Sequence, residues 1–268
     1  MNPKEAVREF WDQASCGEAL YLSSRDQEGY RAQAKARYRL EGWMIFPFAR
    51  FHESRGQSVL EIGVGLGADH QQYAQAGAKL TGIDLTERAV GHTRCRLQSF
   101  GLHSDLSTGD AENLPFPDQS FDVVYSWGVL HHSPDTQKAI QEVFRVLKWG
   151  GVAKVMIYHK WSVVGFMLWL RYGLMSMRPL RSLEDIYARH LESPGTKAYD
   201  RVEALNLFDN FTYVDIKTPL AHGDLLESSV GQRHGGLALS IARSIWPRWF
   251  IRRFFPDNGL TMMITAYK

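Results

Sequence analysis

The sequence predicts an α/β fold built on a doubly wound, parallel sheet, and three features carry that expectation. Short apolar runs alternate with helix-patterned stretches from Ser58 to Tyr158, as in strand–helix–strand units. Several runs, such as SVLEIG and VAKVMIY, are nearly continuous, as strands are when helices cover both faces of a sheet. The first run opens into the glycine-rich stretch VLEIGVGLGADH, Val59 to His70, which places a tight turn at the sheet's carboxyl edge.

The elements follow in order. Residues 1 to about 55 are rich in arginine and aromatics (Trp11, Tyr21, Tyr30, Tyr38, Trp43) and look helical from about Glu28. SVLEIG is the first strand, and ADHQQYAQAG a helix closed by Gly77. KLTGID is the second strand. TERAVGHTRCRLQSFG is a helix with Thr86 as N-cap and Gly101 beyond its end. DLSTGD is a weak third strand and FDVVYSWG a fourth. SPDTQKAIQEVFRVLKWGG is the clearest helix: Ser133 suits its cap, Pro134 its first position and Asp135 its dipole. Ile140, Val143, Phe144 and Leu147 share one face, and Gly150 and Gly151 end it. VAKVMIY is the fifth strand. DRVEALNLFDNF then reads as a helix, with FTYVDIK and LTMMITAY as the last strands. Two stretches interrupt this pattern, at about 159–199 and 223–258, and are expected to form a cap over a pocket.

Bulk properties narrow the function. The 268 residues suit one large domain or one domain with a cap, and the net charge of +2 argues against general nucleic-acid binding. Two cysteines, Cys16 and Cys95, without C-x-x-C spacing suggest a reducing compartment. The start has no apolar secretory region, and Arg171 closes the longest apolar run, Trp161 to Leu170. A cytoplasmic location is therefore expected.

The glycines of the first turn fit two patterns. Gly63, Gly65 and Ala68 match the turn that cradles a dinucleotide pyrophosphate. Gly63, Gly65 and Gly67 match the turn of an S-adenosylmethionine (SAM) site. Asp84, at the end of the second strand, suits the ribose hydroxyls in either case. Glu61 separates them. A carboxylate in a buried strand needs a partner, and the methionine ammonium of SAM supplies one where a pyrophosphate does not. The alternative is an ion pair with Arg94 or Arg96.

Further motifs follow. Gly109-Asp110-Ala111, Leu114-Pro115-Phe116, Phe121-Asp122-Val123, His131-His132 and Leu147-Lys148-Trp149-Gly150-Gly151 together resemble the class I SAM-dependent methyltransferases, in the branch acting on small molecules and lipids. Trp149 departs from the usual proline of the last turn. The resemblance covers roughly 58–158 and is weaker over 200–268. It implies a Rossmann-like seven-stranded sheet whose last strand is antiparallel, with an N-terminal helical lid closing over SAM. A dehydrogenase would need a further strand–helix unit or a substrate domain, and little chain is left for one. The resemblance also implies that Asp110 meets the adenine amino group, beside Ala111 and Leu85. Asp84 takes the ribose, and Ser126, Trp127 and Gly128 border the methionine end.

Methyl transfer from a sulfonium is an in-line displacement, so alignment of the two reactants matters most. A base is needed only where the nucleophile must lose a proton. His131 after the fourth strand and His159 after the fifth are candidates, with Tyr158 and Tyr21 as further catalytic candidates. Trp127, Tyr158, Trp161 and Tyr21 have a second possible role, surrounding the acceptor with ring faces. No metal site is expected, because the adjacent His131 and His132 should point apart and lack a spaced carboxylate or thiol. The stretch ARSIWPRWFIRRFFP, 242–256, combines arginines with large apolar residues and suits an anionic membrane surface, a pocket cover or a dimer contact. The expected partner is a small-molecule acceptor. A membrane lipid or quinone is the alternative acceptor, and a SAM-binding regulator the alternative class. Monomer and homodimer stay open.

Overall fold

The computed structural model describes residues 2–227, 244 and 246–268. Its strands are β1 (Ser58–Ile62), β2 (Lys79–Asp84), β3 (Asp105–Thr108), β4 (Phe121–Trp127), β5 (Leu147–Tyr158), β6 (Tyr213–Lys217) and β7 (Thr261–Tyr267). They form one sheet of seven strands in the order β3-β2-β1-β4-β5-β7-β6. β1 to β5 pair in parallel. β7 runs antiparallel to both β5 and β6. The strand order reverses between β1 and β4, and the crevice at their carboxyl ends is where open sheets of this kind bind ligands.

Helices cover both faces. On one face α6 (Thr136–Val146) and α9 (Arg201–Leu207) pack against the sheet, with Leu60, Val124, Ile140, Val143, Val155 and Ile264 in the shared core. On the other face lie α3 (Gln27–Ala49) and α4 (Ala68–Gln75), with Ile45, Phe51, Tyr73 and Tyr125 in the core. α5 (Glu87–Ser99) connects β2 to β3 and is capped by Thr86, whose hydroxyl oxygen accepts the Ala89 N–H at 3.3 Å.

Two expected boundaries shift. Asp135, not Ser133, caps α6 and accepts the Lys138 N–H at 3.0 Å. The Ser133 hydroxyl donates instead to Glu112 at 2.6 Å. The helix ends at Val146, because Leu147 already pairs with Phe121 and belongs to β5. Gly150 and Gly151 therefore lie in the strand, where both bond to the backbone of Lys268.

Sequence reasoning starts the N-terminal helical region near Glu28, but the structure starts it earlier. α1 (Pro3–Gln13) and α2 (Glu18–Tyr21) precede α3. Polar contacts fasten this region to the domain. Arg37 of α3 bonds to Asp69 of α4 at 2.7 Å, and Asp69 also accepts the hydroxyls of Tyr38 (2.9 Å) and Tyr125 (2.8 Å). The buried Arg96 of α5 bonds to Gln71, to Gln33 and to the Tyr30 carbonyl. Glu18 takes a two-pronged bond from Arg88 at 2.6 and 2.8 Å.

The Arg88 bond, opposed by burial, holds the Glu18 carboxyl down at about 2 against an ordinary value of 4.5. A depressed carboxylate stabilises the fold above its ordinary value and loses that contribution as pH falls from about 4.5 toward 2. The unfolding midpoint of Glu18→Gln should therefore lie below wild type at pH 7. The gap should close on titration to pH 2; a constant gap would remove the pair from the acid response.

The first interrupting stretch holds α7 (Val163–Trp169) and α8 (Leu183–His190), packed through Val164, Leu168, Ile186 and Tyr187. In the second, α10 (Arg248–Phe254) rests on Val163 and Leu225 through Ile251. Residues 228–243, with the basic QRHGG, lie outside the described residues, as does 245. No helix among the described residues is long and apolar enough to cross a membrane.

Candidate functional site

β1 ends in the glycine turn. Gly63 has φ +83°, and a Cβ there would lie 2.1 Å from Val129 Cγ2, so only glycine fits. Gly65 has φ +53° with open space where a Cβ would project, which leaves its backbone free to meet a ligand. The turn leads into α4, whose N-terminus carries no side-chain cap and suits an anionic group. Asp84 ties the turn to β2: its Oδ2 accepts the Gly65 N–H at 3.2 Å, and its Oδ1 accepts the Thr86 N–H and hydroxyl at 3.0 Å each. Burial raises the Asp84 carboxyl above its ordinary value against these bonds.

A cavity of about 280 Å³ runs from this turn across the ends of β1, β2, β4 and β5. Glu61, Gly63, Gly65, Gly67, Asp84, Leu85, Asp110, Ala111, Trp127 and Gly128 all line it. Ser126 does not. It is fully buried, and its hydroxyl donates to the Ile62 carbonyl at 3.0 Å, where it fastens β4 to β1.

The partner of Glu61 is neither Arg94 nor Arg96 but His70, at 2.8 Å. Ser104 gives its hydroxyl hydrogen to the Leu80 carbonyl (2.8 Å), so the His70 Nε2–H donates to the Ser104 oxygen and Nδ1 is left to accept. The donor to Nδ1 is then a protonated Glu61. Burial drives both shifts, raising Glu61 well above the usual carboxylate range and lowering His70 to about 3. The pair is neutral, with the Glu61 carboxyl exposed to the cavity.

Asp110 is engaged by a residue that sequence reasoning missed. Lys4 of α1 bonds to Asp110 and to Glu112 at 2.6 Å each, and Asp110 also accepts the Glu112 N–H at 2.9 Å. Each Asp110 oxygen keeps a further acceptor position. Lys4, Val7, Trp11, Gln33, Arg37 and Glu41 line the cavity too, so α1 and α3 form its roof. From the first interrupting stretch only Glu192 reaches the cavity, and none of the described residues of 223–258 does. Beside the N-terminal lid, the described parts of the expected cap, α7, α8 and α10, pack beyond the end of β5, and 228–243 and 245 lie outside the described residues.

The candidate catalytic residues separate. Tyr158 lines the cavity and donates its hydroxyl to Glu192 at 2.8 Å. Burial, reinforced by that carboxylate, pushes its phenol well above the ordinary value, so it remains a donor and is no base. His131 is fully buried behind Tyr158, ring to ring at 4.0 Å, and burial keeps it neutral. His159 is buried rather than facing the cavity, and its Nδ1–H donates to the Gly259 carbonyl at 3.2 Å. Tyr21 on α2 and Trp161, which is 60 % exposed, lie outside the cavity. His132 and Glu192 are the polar groups at this end instead. The expectation that His131 and His132 point apart is corrected. Their short 3-10 turn holds the rings 4.2 Å apart, and Glu192 meets His132 at 3.3 Å. Glu192 carries no motif and only the fold brings it here.

The sheet order, the glycine turn and Asp84 at the switch point define an α/β domain built to hold an adenosine-bearing cofactor. Residues 60–155 match the family described as methyltransferase domain. Among curated proteins, the chain is 34% identical over 131 residues to demethylmenaquinone methyltransferase of Tropheryma whipplei (strain Twist), covering 47% of this chain and 54% of that protein. It is 36% identical over 100 residues to sterol 24-C-methyltransferase ERG6B of Gibberella zeae, covering 36% and 26%. The chain thus spans from about a quarter to about half the length of these relatives. The crystal structure of YcgJ from Bacillus subtilis shares the fold, with TM-score 0.55 and 22% identity over 85% of this chain and 97% of that one. Residues 60–155 thus carry a match to a methyltransferase domain, and the sheet has the fold of that structure.

Proposed function

We propose that this protein transfers the methyl group of SAM to a small-molecule acceptor. One observation carries the reading: a single cavity joins the glycine turn and Asp84 at one end to Tyr158 and Glu192 at the other. SAM supplies an electrophilic methyl on a sulfonium. Asp84 receives the ribose hydroxyls, Asp110 the adenine amino group and the α4 N-terminus the methionine carboxylate. Glu61 offers its carboxyl to the ammonium. Trp127 and Tyr158 shape the acceptor end, and the α1–α3 roof excludes water from the sulfonium. Titration should detect SAM binding and no comparable binding of NAD. Binding without S-adenosylhomocysteine formation would favour a regulator instead.

A lipophilic acceptor is a second reading, favoured by one surface. α7 and α10 meet through Val163 and Ile251, and the Val163 N–H donates to the carbonyl of Asn258, beyond the end of α10, at 2.9 Å. Around this junction Trp161, Phe166, Trp249 and Phe254 are exposed, with Arg252 and Arg253 beside them. Sterol and quinone methyltransferases among the relatives agree with a greasy acceptor. The protein should sediment with vesicles containing phosphatidylserine, and Trp249→Ser with Phe254→Ser should release it. Equal sedimentation of the double variant would remove the surface from consideration. Residues 242, 243 and 245 of the basic stretch lie outside the described residues.

A further inference from the structure

Behind the acceptor end of the cavity, His131, His132 and Glu192 bring two imidazoles and a carboxylate together. One donor atom from each lies within 4.8 Å of the others. We infer that these three residues bind a divalent first-row transition metal ion, with its remaining coordination positions facing the cavity.

The donors are built for this. His131 is fully buried, yet neither of its ring nitrogens has a hydrogen-bond partner. A buried imidazole with both nitrogens idle is rare, and a metal ligand explains it. Tyr158 on one side and His132 on the other fix its ring, and neutral imidazole is the form that binds metal.

His132 shows the same preparation. Its Nδ1 lies 2.8 Å from the Ser193 hydroxyl and 3.1 Å from Thr196 Oγ1. The Thr196 hydroxyl donates to the Ser193 carbonyl at 2.7 Å, so toward His132 its oxygen accepts. Nε2 faces a Glu192 carboxylate oxygen at 3.3 Å. An ion seated between them would take the Nε2 lone pair, with the Nδ1–H held by the Ser193 and Thr196 oxygens. Tyr158 holds Glu192 through its hydroxyl, as outer partners hold metal ligands elsewhere. Lys197 is committed to the carbonyls of Ser133 and Pro134.

The donor set selects the ion. Two imidazoles and one carboxylate suit Zn²⁺, Co²⁺, Fe²⁺ or Ni²⁺ better than Mg²⁺ or Ca²⁺, which take oxygen ligands. Ligands about 2.1 Å from a tetrahedral ion lie about 3.4 Å apart, so a pair now up to 4.8 Å apart closes by at most about 1.4 Å on binding. Glu192, half-buried at the cavity wall, is the ligand that would shift. His132, Tyr158 and Glu192 line the cavity, so an acceptor hydroxyl or carboxylate would meet the ion. Metal binding itself does not depend on the methyl-transfer reading.

The test uses the full chain stripped with a chelator and titrated with Zn²⁺ or Co²⁺, Co²⁺ being followed by its visible ligand-field bands. One equivalent should bind, with bands of a low-coordinate nitrogen–oxygen site. Glu192→Gln, which keeps the side chain's shape, and His132→Ala should each weaken binding on the order of 100-fold or more. Ser193→Ala should weaken it by about 10–100-fold through the outer shell. Glu227→Gln, in the surface pair with His222, should change nothing. His131 is too buried for its variants to be decisive alone. Absence of Co²⁺ bands would overturn the inference and leave a plain His132–Glu192 ion pair, as would undiminished binding by Glu192→Gln.

Discussion

Asp84→Ala is expected to raise the dissociation constant for SAM by about 10²-fold. In the proposed role its carboxylate accepts both ribose hydroxyls. Hydrogen bonds to a charged group are worth about 1.5–3 kcal/mol each, and two at the lower end amount to about 3 kcal/mol, or about 10²-fold in affinity. The side chain also holds the turn in place through the N–H groups of Gly65 and Thr86. Asp84→Asn keeps one acceptor and should lose about tenfold. Calorimetric titration of both variants, after circular dichroism has verified folding, checks this. A change within about twofold for Asp84→Ala would remove Asp84 from the ribose site.

Arg37→Met is expected to be the most damaging substitution outside the cavity. Asp69 is only 4% exposed, and Arg37 is the cation bonded to it. Removing one member of a buried pair costs about 3–5 kcal/mol because the other charge stays buried. Arg37 itself keeps some solvent contact, which points to the lower figure. About 3 kcal/mol corresponds to roughly 6–12 °C in a chain of this size. Arg37→Met with Asp69→Asn should recover most of the loss, since asparagine removes the stranded charge. The hydroxyls of Tyr38 and Tyr125 would still find an oxygen. If single and double variants melt together, the pair is not what fastens α3 to α4. The same loss should speed SAM release, because Arg37 forms part of the cavity roof.

The sheet was legible in the sequence because its determinants are local. Strand runs, the Thr86 cap and the left-handed glycines each follow from a few adjacent residues. The glycine turn, Asp84, Leu85, Asp110, Ala111, Trp127 and Gly128 share the cavity for the same reason: they stand at fixed offsets from strand ends. Ser126 failed by one position. Successive side chains on a strand point to opposite faces, and Ser126 faces the neighbouring strand end while Trp127 faces the cavity.

What the sequence concealed depends on distant packing. Lys4 reaches Asp110 across 106 positions, and nothing near either residue signals the pair. Glu61 finds His70 only because α4 folds back beside β1. Glu192 comes to His132 from a stretch with no readable motif. His159 looked available because it follows a strand end, yet the backbone near Gly259 satisfies it. α1 was not read as a helix in the sequence, yet it lines the cavity, whereas Glu192 alone among the described residues of the two interrupting stretches does.

The most direct test of the central claim is transfer of a labelled methyl group. Purified protein is incubated with cell extract and methyl-labelled SAM, and the label is sorted into polar small-molecule, organic-soluble, protein and nucleic-acid fractions. The expected result is label in one small-molecule or organic-soluble fraction, lost with Gly65→Arg, which fills the open side of the glycine turn. Label confined to protein or nucleic acid, or no label above that control while SAM still binds, would contradict it.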